Sequence, residues 1–208
     1  MRVYVTGLAD LRGHRDEILD VRLSPDGLWM ASSSVDGAVC VWNVGRQSLV
    51  QTLQGDQPSY IEISPNGQTL ATAEASAPVR LWRPDGTLSA ELHSSQRQPS
   101  IVAFSPDGRY VIAGYRAANA AVWSHSGALI AELDHEGQGV GALCLSSDGR
   151  WLLTGDSSGR LHLWEVGSWR RIQRFSAINA GAQAAPIIHV QFAADSQTVV
   201  TRSRTDAG

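Results

Sequence analysis

Apolar residues alternate with small or polar ones in short runs along the chain, as in "ILDVRLS" from Ile18, "SYIEIS" from Ser59, "SIVAFS" from Ser100 and "GALCLS" from Gly141. A two-residue period sends successive side chains to opposite faces of an extended backbone, so these runs predict β-strands. Each run meets a turn of the Ser-Pro-Asp-Gly type and is followed by a second run: "LWMASSS", "TLATAEA", "YVIAGY" and "WLLTGD". Pro at the second turn position presets φ, and Gly takes the position where a side chain would be strained, so each pair reads as a hairpin. A second hairpin follows from "AVCVWNV" to "SLVQTL", with equivalents "PVRLWRPDGTLSAEL", "AAVWSHSGALIAEL" and "RLHLWEVGSWRRIQRF". No stretch carries an apolar stripe at helical spacing for the length of a helix.

The pattern repeats. Ser24, Ser64, Ser105 and Ser146 mark the turns at steps of 40, 41 and 41, and a weaker marker, Ala193 in "AADS", follows after 47. Each serine precedes its tryptophan, Trp42, Trp82, Trp123 or Trp164, by eighteen positions. One residue more or less would carry the Trp to the other face of its strand, so this distance is constrained while the loops after each Trp are not. Four short strands recurring about every 41 residues predict the blades of an all-β propeller.

Within the first unit, Gly13-His14, Ser34, Asp36 and Trp42 fall where the WD-repeat β-propeller family has its Gly-His pair, Ser-x-Asp and Trp. The sequence resembles that family over essentially its whole length. The resemblance implies a buried hydrogen-bond network of His14, Ser34, Asp36 and Trp42. It also implies that partners dock on the face made by the loops that enter the first strand and join the second to the third. The sequence departs from the family after each Trp, where Asn43, Arg83, Ser124 and Glu165 replace Asp, and six residues before it, where Ser76, Ala117 and Ser158 replace the counterpart of Asp36. His135 takes the His place in the fourth unit. Only the first unit is thus expected to hold a complete set, and Asp36→Ala is expected to destabilise by about 1–3 kcal/mol.

The ends read as complementary halves of one blade. Residues 1–14 resemble a back half with Tyr4 in the Trp position, and residues 187–208 a front half, on either side of units at 15–55, 56–96, 97–137 and 138–178; residues 179–186 read as a flexible loop. The preferred expectation is a five-bladed ring, four blades complete and one shared by the termini, since closure removes sheet edges. The rival expectation is a segment of a larger propeller that either stays open or closes by assembling with another copy, which makes the chain a homo-oligomer rather than a monomer.

Composition narrows the chemistry. Charged residues are 18% of the chain, below the usual quarter, so much of the surface must be Ser, Gln, Asn and Gly. A net charge of -3 offers no basic field, so nucleic acid is not expected as a partner. The apolar runs are far shorter than the roughly 20 residues of a membrane helix, and no secretory leader precedes "RVYV", so no membrane association and a cytosolic location are expected. Cys40 and Cys144 sit inside apolar runs and read as small buried hydrophobes. "GDSSG" around Ser157 matches a nucleophile-elbow pattern but falls at a strand-to-strand turn, and "HRD" at His14 lacks the rest of a kinase set. The histidines His93, His125, His135, His162 and His189 lack zinc-ligand spacing, so neither metal nor cofactor is expected. Trp29, Trp151, Trp169, Tyr60 and Tyr110 are expected to pack between blades.

A rigid disc without a catalytic constellation points to a non-enzymatic platform for proteins or peptides. An assembly fragment, and an enzyme with a central-channel site, are the alternatives. The loops of the docking face hold Arg15, Asp16, Gln57, Tyr60, Glu74, Arg97, Tyr115, Arg116, Asn119, Glu136 and Asp156, and the Tyr115-Arg116 pair is the foremost candidate because that composition is enriched at binding hot spots.

Overall fold

Four times along the chain, four consecutive strands fold into one antiparallel sheet, joined in simple up-and-down order. The computed structural model describes residues 11–55, 58–74, 76–96, 98–176 and 185–204. Blade 1 consists of β1 (Ile18–Leu23), β2 (Trp29–Ser34), β3 (Ala38–Asn43) and β4 (Ser48–Gln54). Blade 2 consists of β5 (Pro58–Ile63), β6 (Leu70–Glu74), β7 (Val79–Trp82) and β8 (Leu88–Leu92). Blade 3 has β9 (Pro99–Phe104), β10 (Tyr110–Tyr115), β11 (Ala118–Ser124) and β12 (Leu129–Leu133). Blade 4 has β13 (Val140–Leu145), β14 (Trp151–Asp156), β15 (Arg160–Glu165) and β16 (Arg171–Ser176). A two-stranded sheet, β17 (Ile187–Phe192) with β18 (Val199–Ser203), forms the front of a fifth.

The recurring serine closes the first turn of each blade. Ser24 Oγ donates to Asp26 Oδ1 at 2.6 Å and accepts the Trp29 backbone N–H at 3.1 Å, and the Asp26 carboxylate in turn accepts the Leu28 N–H. The same bonds recur at Ser64 with Asn66, Ser105 with Asp107 and Ser146 with Asp148. The turn glycine stands at φ 71 in Gly27 and φ 70 in Gly108, the left-handed region that side chains resist. From these turns the register is identical in all four blades: Trp42 stands opposite Met30, Trp82 opposite Leu70, Trp123 opposite Val111 and Trp164 opposite Leu152.

The core lies between blades rather than inside any one of them. Trp29, Ala31 and Val41 of blade 1 pack on Ile61, Ile63 and Leu70 of blade 2, and comparable layers join blades 2 to 3, 3 to 4, and blade 4 to β17–β18. The Trp29 indole N–H donates to the Gly67 carbonyl in the next blade, while Tyr110 and Trp169 meet edge to face at 5.0 Å. Two seams are close enough to require glycine: a Cβ on Gly139 would run into the Arg116 carbonyl, and one on Gly155 into the Ile187 side chain.

Among the described residues the sheets do not close into the ring expected from the sequence. Each blade's first strand normally lies under its predecessor: Ile61 is 1% exposed, Val102 5%, Leu143 7% and Val190 4%, yet the equivalent Val21 of blade 1 is 37% exposed. Its neighbour Leu23 is 53% exposed, and among the described residues no preceding blade covers that face. At the far end Val200 is 60% exposed, where the equivalent Ala31, Ala71, Ile112 and Leu153 are covered by the next blade. Tyr4 and the loop at 179–184 lie outside the described residues, as does the proposed junction of the termini.

Candidate interaction site

In blades 1 and 4 the repeated sequence signature builds a hydrogen-bond chain that fixes the inner loops. In blade 1 the His14 Nδ1–H donates to Asp36 Oδ2 at 3.2 Å, its Nε2 accepts from Ser32 Oγ at 2.7 Å, and the Trp42 indole N–H donates to the same hydroxyl at 2.9 Å. Asp36 also accepts the backbone N–H groups of Arg15 and Ala38. Partial burial would raise its pKa, but these bonds outweigh that and hold the carboxyl at about 2.

The serine of this network is Ser32, which corrects the expectation of Ser34. Trp42 is registered on Met30, so Ser32 lies one diagonal step away on the same face, whereas Ser34 is about 7 Å further along the strand. Ser34 Oγ instead accepts the Asp36 N–H at 3.1 Å. The position ten before each Trp holds Ser32, Thr72, Thr154 and, in blade 3, Ala113. Trp82 and Trp164 donate to Thr72 and Thr154, while Trp123, lacking a hydroxyl there, donates to the His93 carbonyl.

Blade 4 carries a second network, which corrects the expectation that only blade 1 has one. His135 donates through Nδ1 to the Leu133 carbonyl at 2.7 Å and accepts at Nε2 from Thr154 Oγ1 at 2.7 Å. The carboxylate has moved two residues, from the Ser158 position to Asp156, where it takes the His162 Nε2–H at 3.0 Å. Ser158 serves it through both its N–H and its hydroxyl. Burial opposes ionisation of Asp156, but these donors hold it at about 2. Burial, aided by the neighbouring His162, drives His135 down to about 4. The cluster is sealed from solvent, so nothing reaches it as a substrate would.

Several residues read as loop residues are therefore structural. Asp156, Glu74 and Tyr115 are the last residues of their second strands rather than members of the loops that follow, and strand alternation turns all three inward to at most 2% exposure. Glu74 pairs with Arg80 at 3.3 Å, in the two positions that Asp156 and His162 occupy in blade 4. The Tyr115 hydroxyl accepts from Ser94 at 3.0 Å, which removes Tyr115 from the expected docking face. Asn119 Oδ1 accepts the His135 N–H at 2.8 Å and fixes the loop into blade 4. Glu136 gathers Arg160, Arg171 and Arg174 around one exposed carboxylate. Arg15 and Asp16 are exposed on the loop into blade 1, away from the others. Arg97 and Gln57 lie outside the described residues.

Two of the candidates do meet. Tyr60 and Arg116 line a cleft of about 300 Å³ where the first strands of blades 2 to 5 converge, together with Ser100, Ser157, Ile187 and Arg204. Arg204 follows β18 as Arg116 follows β10, eleven residues after their markers Ala193 and Ser105, and was missed because the fifth marker is weak. Their backbones are held alike: Arg116 N–H donates to the Gln98 carbonyl and Arg204 N–H to that of Pro186. Ser157 Oγ donates to Gln138 at 3.1 Å, and Ser100 Oγ to Val140 O at 2.7 Å, so neither hydroxyl is set beside a base.

The profile of the family described as WD domain, G-beta repeat matches residues 6–43 and 127–165. WD repeat-containing protein 36 of Homo sapiens is 32% identical over 65 residues, 31% of this chain and 7% of that protein. Transcriptional repressor rco-1 of Neurospora crassa is 34% identical over 77 residues, 34% of this chain and 13% of that protein. Target of rapamycin complex subunit wat1 of Schizosaccharomyces pombe is 32% identical over 76 residues, 36% of this chain and 24% of that protein. The chain thus spans less than a quarter of the length of these relatives. With the repeated register of its blades and the profile match at residues 6–43 and 127–165, the chain carries WD repeats built as the blades of a β-propeller.

Proposed function

We propose that the chain is a non-catalytic interaction platform that seats a protein or peptide partner in the cleft at the inner ends of blades 2 to 5. The observation that carries this is the convergence of Tyr60, Arg116 and Arg204, from three different blades, on one cleft. Their side chains make no hydrogen bond or ion pair among the described residues, while the backbone beneath them is rigidly held. Unengaged donors on a rigid frame are suited to recognition. The family's members are generally scaffolds, and the Schizosaccharomyces pombe relative is named as part of a larger complex. The cytosol is the compartment we propose, in keeping with two free thiols at Cys40 and Cys144.

Affinity capture from an extract of the source cells, comparing the chain with its Arg116→Glu variant, tests this reading. Loss of the recovered partners in the variant is expected. Equal recovery would remove the cleft as the docking site.

A second reading is favoured by the exposed end faces. Val21 and Leu23 at one end and Val200 at the other repeat the two sides of the buried blade-to-blade interface, which suits assembly with further blades. Light scattering after size exclusion distinguishes the two, since a monomer at all concentrations contradicts assembly.

A further inference from the structure

From the lining of the cleft we infer that its ligand is an oxyanion carried on a peptide, an aspartate, glutamate or phosphorylated side chain held between Arg116 and Arg204; this rests on the platform reading. Among the described residues the cleft is lined by two arginines and no carboxylate. That is unusual for this molecule. Its formal charge is -3, and Arg22, Arg80, Arg109 and Arg174 each lie against an Asp or Glu. Among the described residues Arg116 and Arg204 have no such neighbour, and none accepts the phenolic O–H of the half-buried Tyr60. Three donors with no acceptor among the described residues surround one space, and an oxyanion with two or more acceptor oxygens satisfies two guanidinium forks at once.

The size and walls of the space choose the carrier. At about 300 Å³ it sits at the lower limit of small-molecule sites and accepts one or two side chains rather than a large ligand. The exposed Pro186 and Ile188 add apolar surface beside the arginines, which suits the aliphatic stem of an acidic side chain. A nucleic acid would need several cations along a track, and the two arginines here do not extend into one. Gly139 holds the geometry, because its missing Cβ lets the loop into blade 4 lie directly on the Arg116 carbonyl.

Fluorescence anisotropy tests the inference with three labelled probes: a short peptide alternating Glu and Ala, the same peptide with Gln for Glu, and a third with phosphoserine replacing the central Glu. The Glu peptide is expected to bind and the Gln peptide not to, with affinity falling as salt is raised. Arg116→Gln and Arg204→Gln should each weaken binding by about tenfold or more, consistent with loss of one charge-assisted contact. Both side chains are exposed, so thermal unfolding of the variants should match the parent and serves as the folding control. Tighter binding of the phosphoserine peptide with the same arginine dependence identifies a phosphorylated partner, and weaker binding identifies a carboxylate one. Absence of binding by both anionic peptides, or binding unchanged by both substitutions, overturns the inference. If that happens while Arg116→Glu still abolishes partner capture, the platform reading survives alone; if capture is also unchanged, both fall.

Discussion

The indole of Trp42 and the imidazole of His14 meet at one hydroxyl, that of Ser32, and all three polar groups are withdrawn from bulk water. Removing that oxygen strands two buried partners, so Ser32→Ala should destabilise by about 2 kcal/mol, while Ser34→Ala, which frees one half-buried N–H, should stay under about 1 kcal/mol. Thermal or urea unfolding of the two variants separates them, and the reverse order would reject this placement. Asp36→Ala is expected to cost about 1–3 kcal/mol by the same measurement. The networks also set the acid limb of stability. His135 titrates at about 4 when folded but near its ordinary value of 6.5 when unfolded, so the unfolded chain takes up the proton first. Stability should therefore decline as pH falls from about 6.5 to about 4. Asp36 and Asp156, held at about 2 against an ordinary 3.8, contribute stability that is complete above about 4 and lost as pH falls toward about 2. Melting temperature against pH should show both declines, and Asp156→Asn should shrink the lower one. At this scale His14, Asp36 and Trp42 were legible because motif spacing names them. Ser32 was not, because a diagonal contact across two strands depends on register. Arg204 was hidden by a unit whose marker is alanine.

Turn chemistry explains why hairpins were the most readable elements and where they weaken. In blades 1 to 4 a serine hydroxyl, a carboxylate or amide and a left-handed glycine close the first turn together. In the fifth sheet Ala193 has no hydroxyl and Ser196 stands in the glycine position at φ 55. Asp195 compensates by accepting the Thr198 hydroxyl at 2.7 Å and two backbone N–H groups. A side chain in that conformation costs about 1 kcal/mol relative to glycine, so Ser196→Gly should stabilise the β17–β18 hairpin by up to that amount. The gain is offset in part by the lost Ser147–Ser196 hydroxyl bond at 2.8 Å. Hydrogen exchange at Val190 and Thr201, which face each other in the hairpin, measures the change locally. Slower exchange is the expected result; faster exchange would mean that the hydroxyl contact outweighs backbone strain. Strand ends were harder to read than turns. Glu74, Tyr115 and Asp156 fall at the ends of the runs that predict the second strands, and their polar or amphipathic character before a turn also reads as docking loop, yet each is the last paired residue of its strand and points inward.

Across the whole molecule, stability comes from seams between sheets, and the period that reveals the blades says nothing about how many seams form. That is why the blades were legible and ring closure was not: closure depends on one more interface of a kind the repeat already contains. Val21 and Val102 make this measurable, because they are the same residue at the same blade position with different cover. Val102 lies 5% exposed beneath blade 2, so Val102→Ala removes buried methyl groups and should cost about 2 kcal/mol. Val21 is 37% exposed, with Leu23 beside it at 53%, so Val21→Ala should cost well under about 1 kcal/mol. Equal costs at the two positions would mean that the open face of blade 1 is covered in solution. A dependence of the Val21→Ala cost on protein concentration would then assign the cover to another chain, since association stabilises by mass action, and concentration independence would assign it to this one.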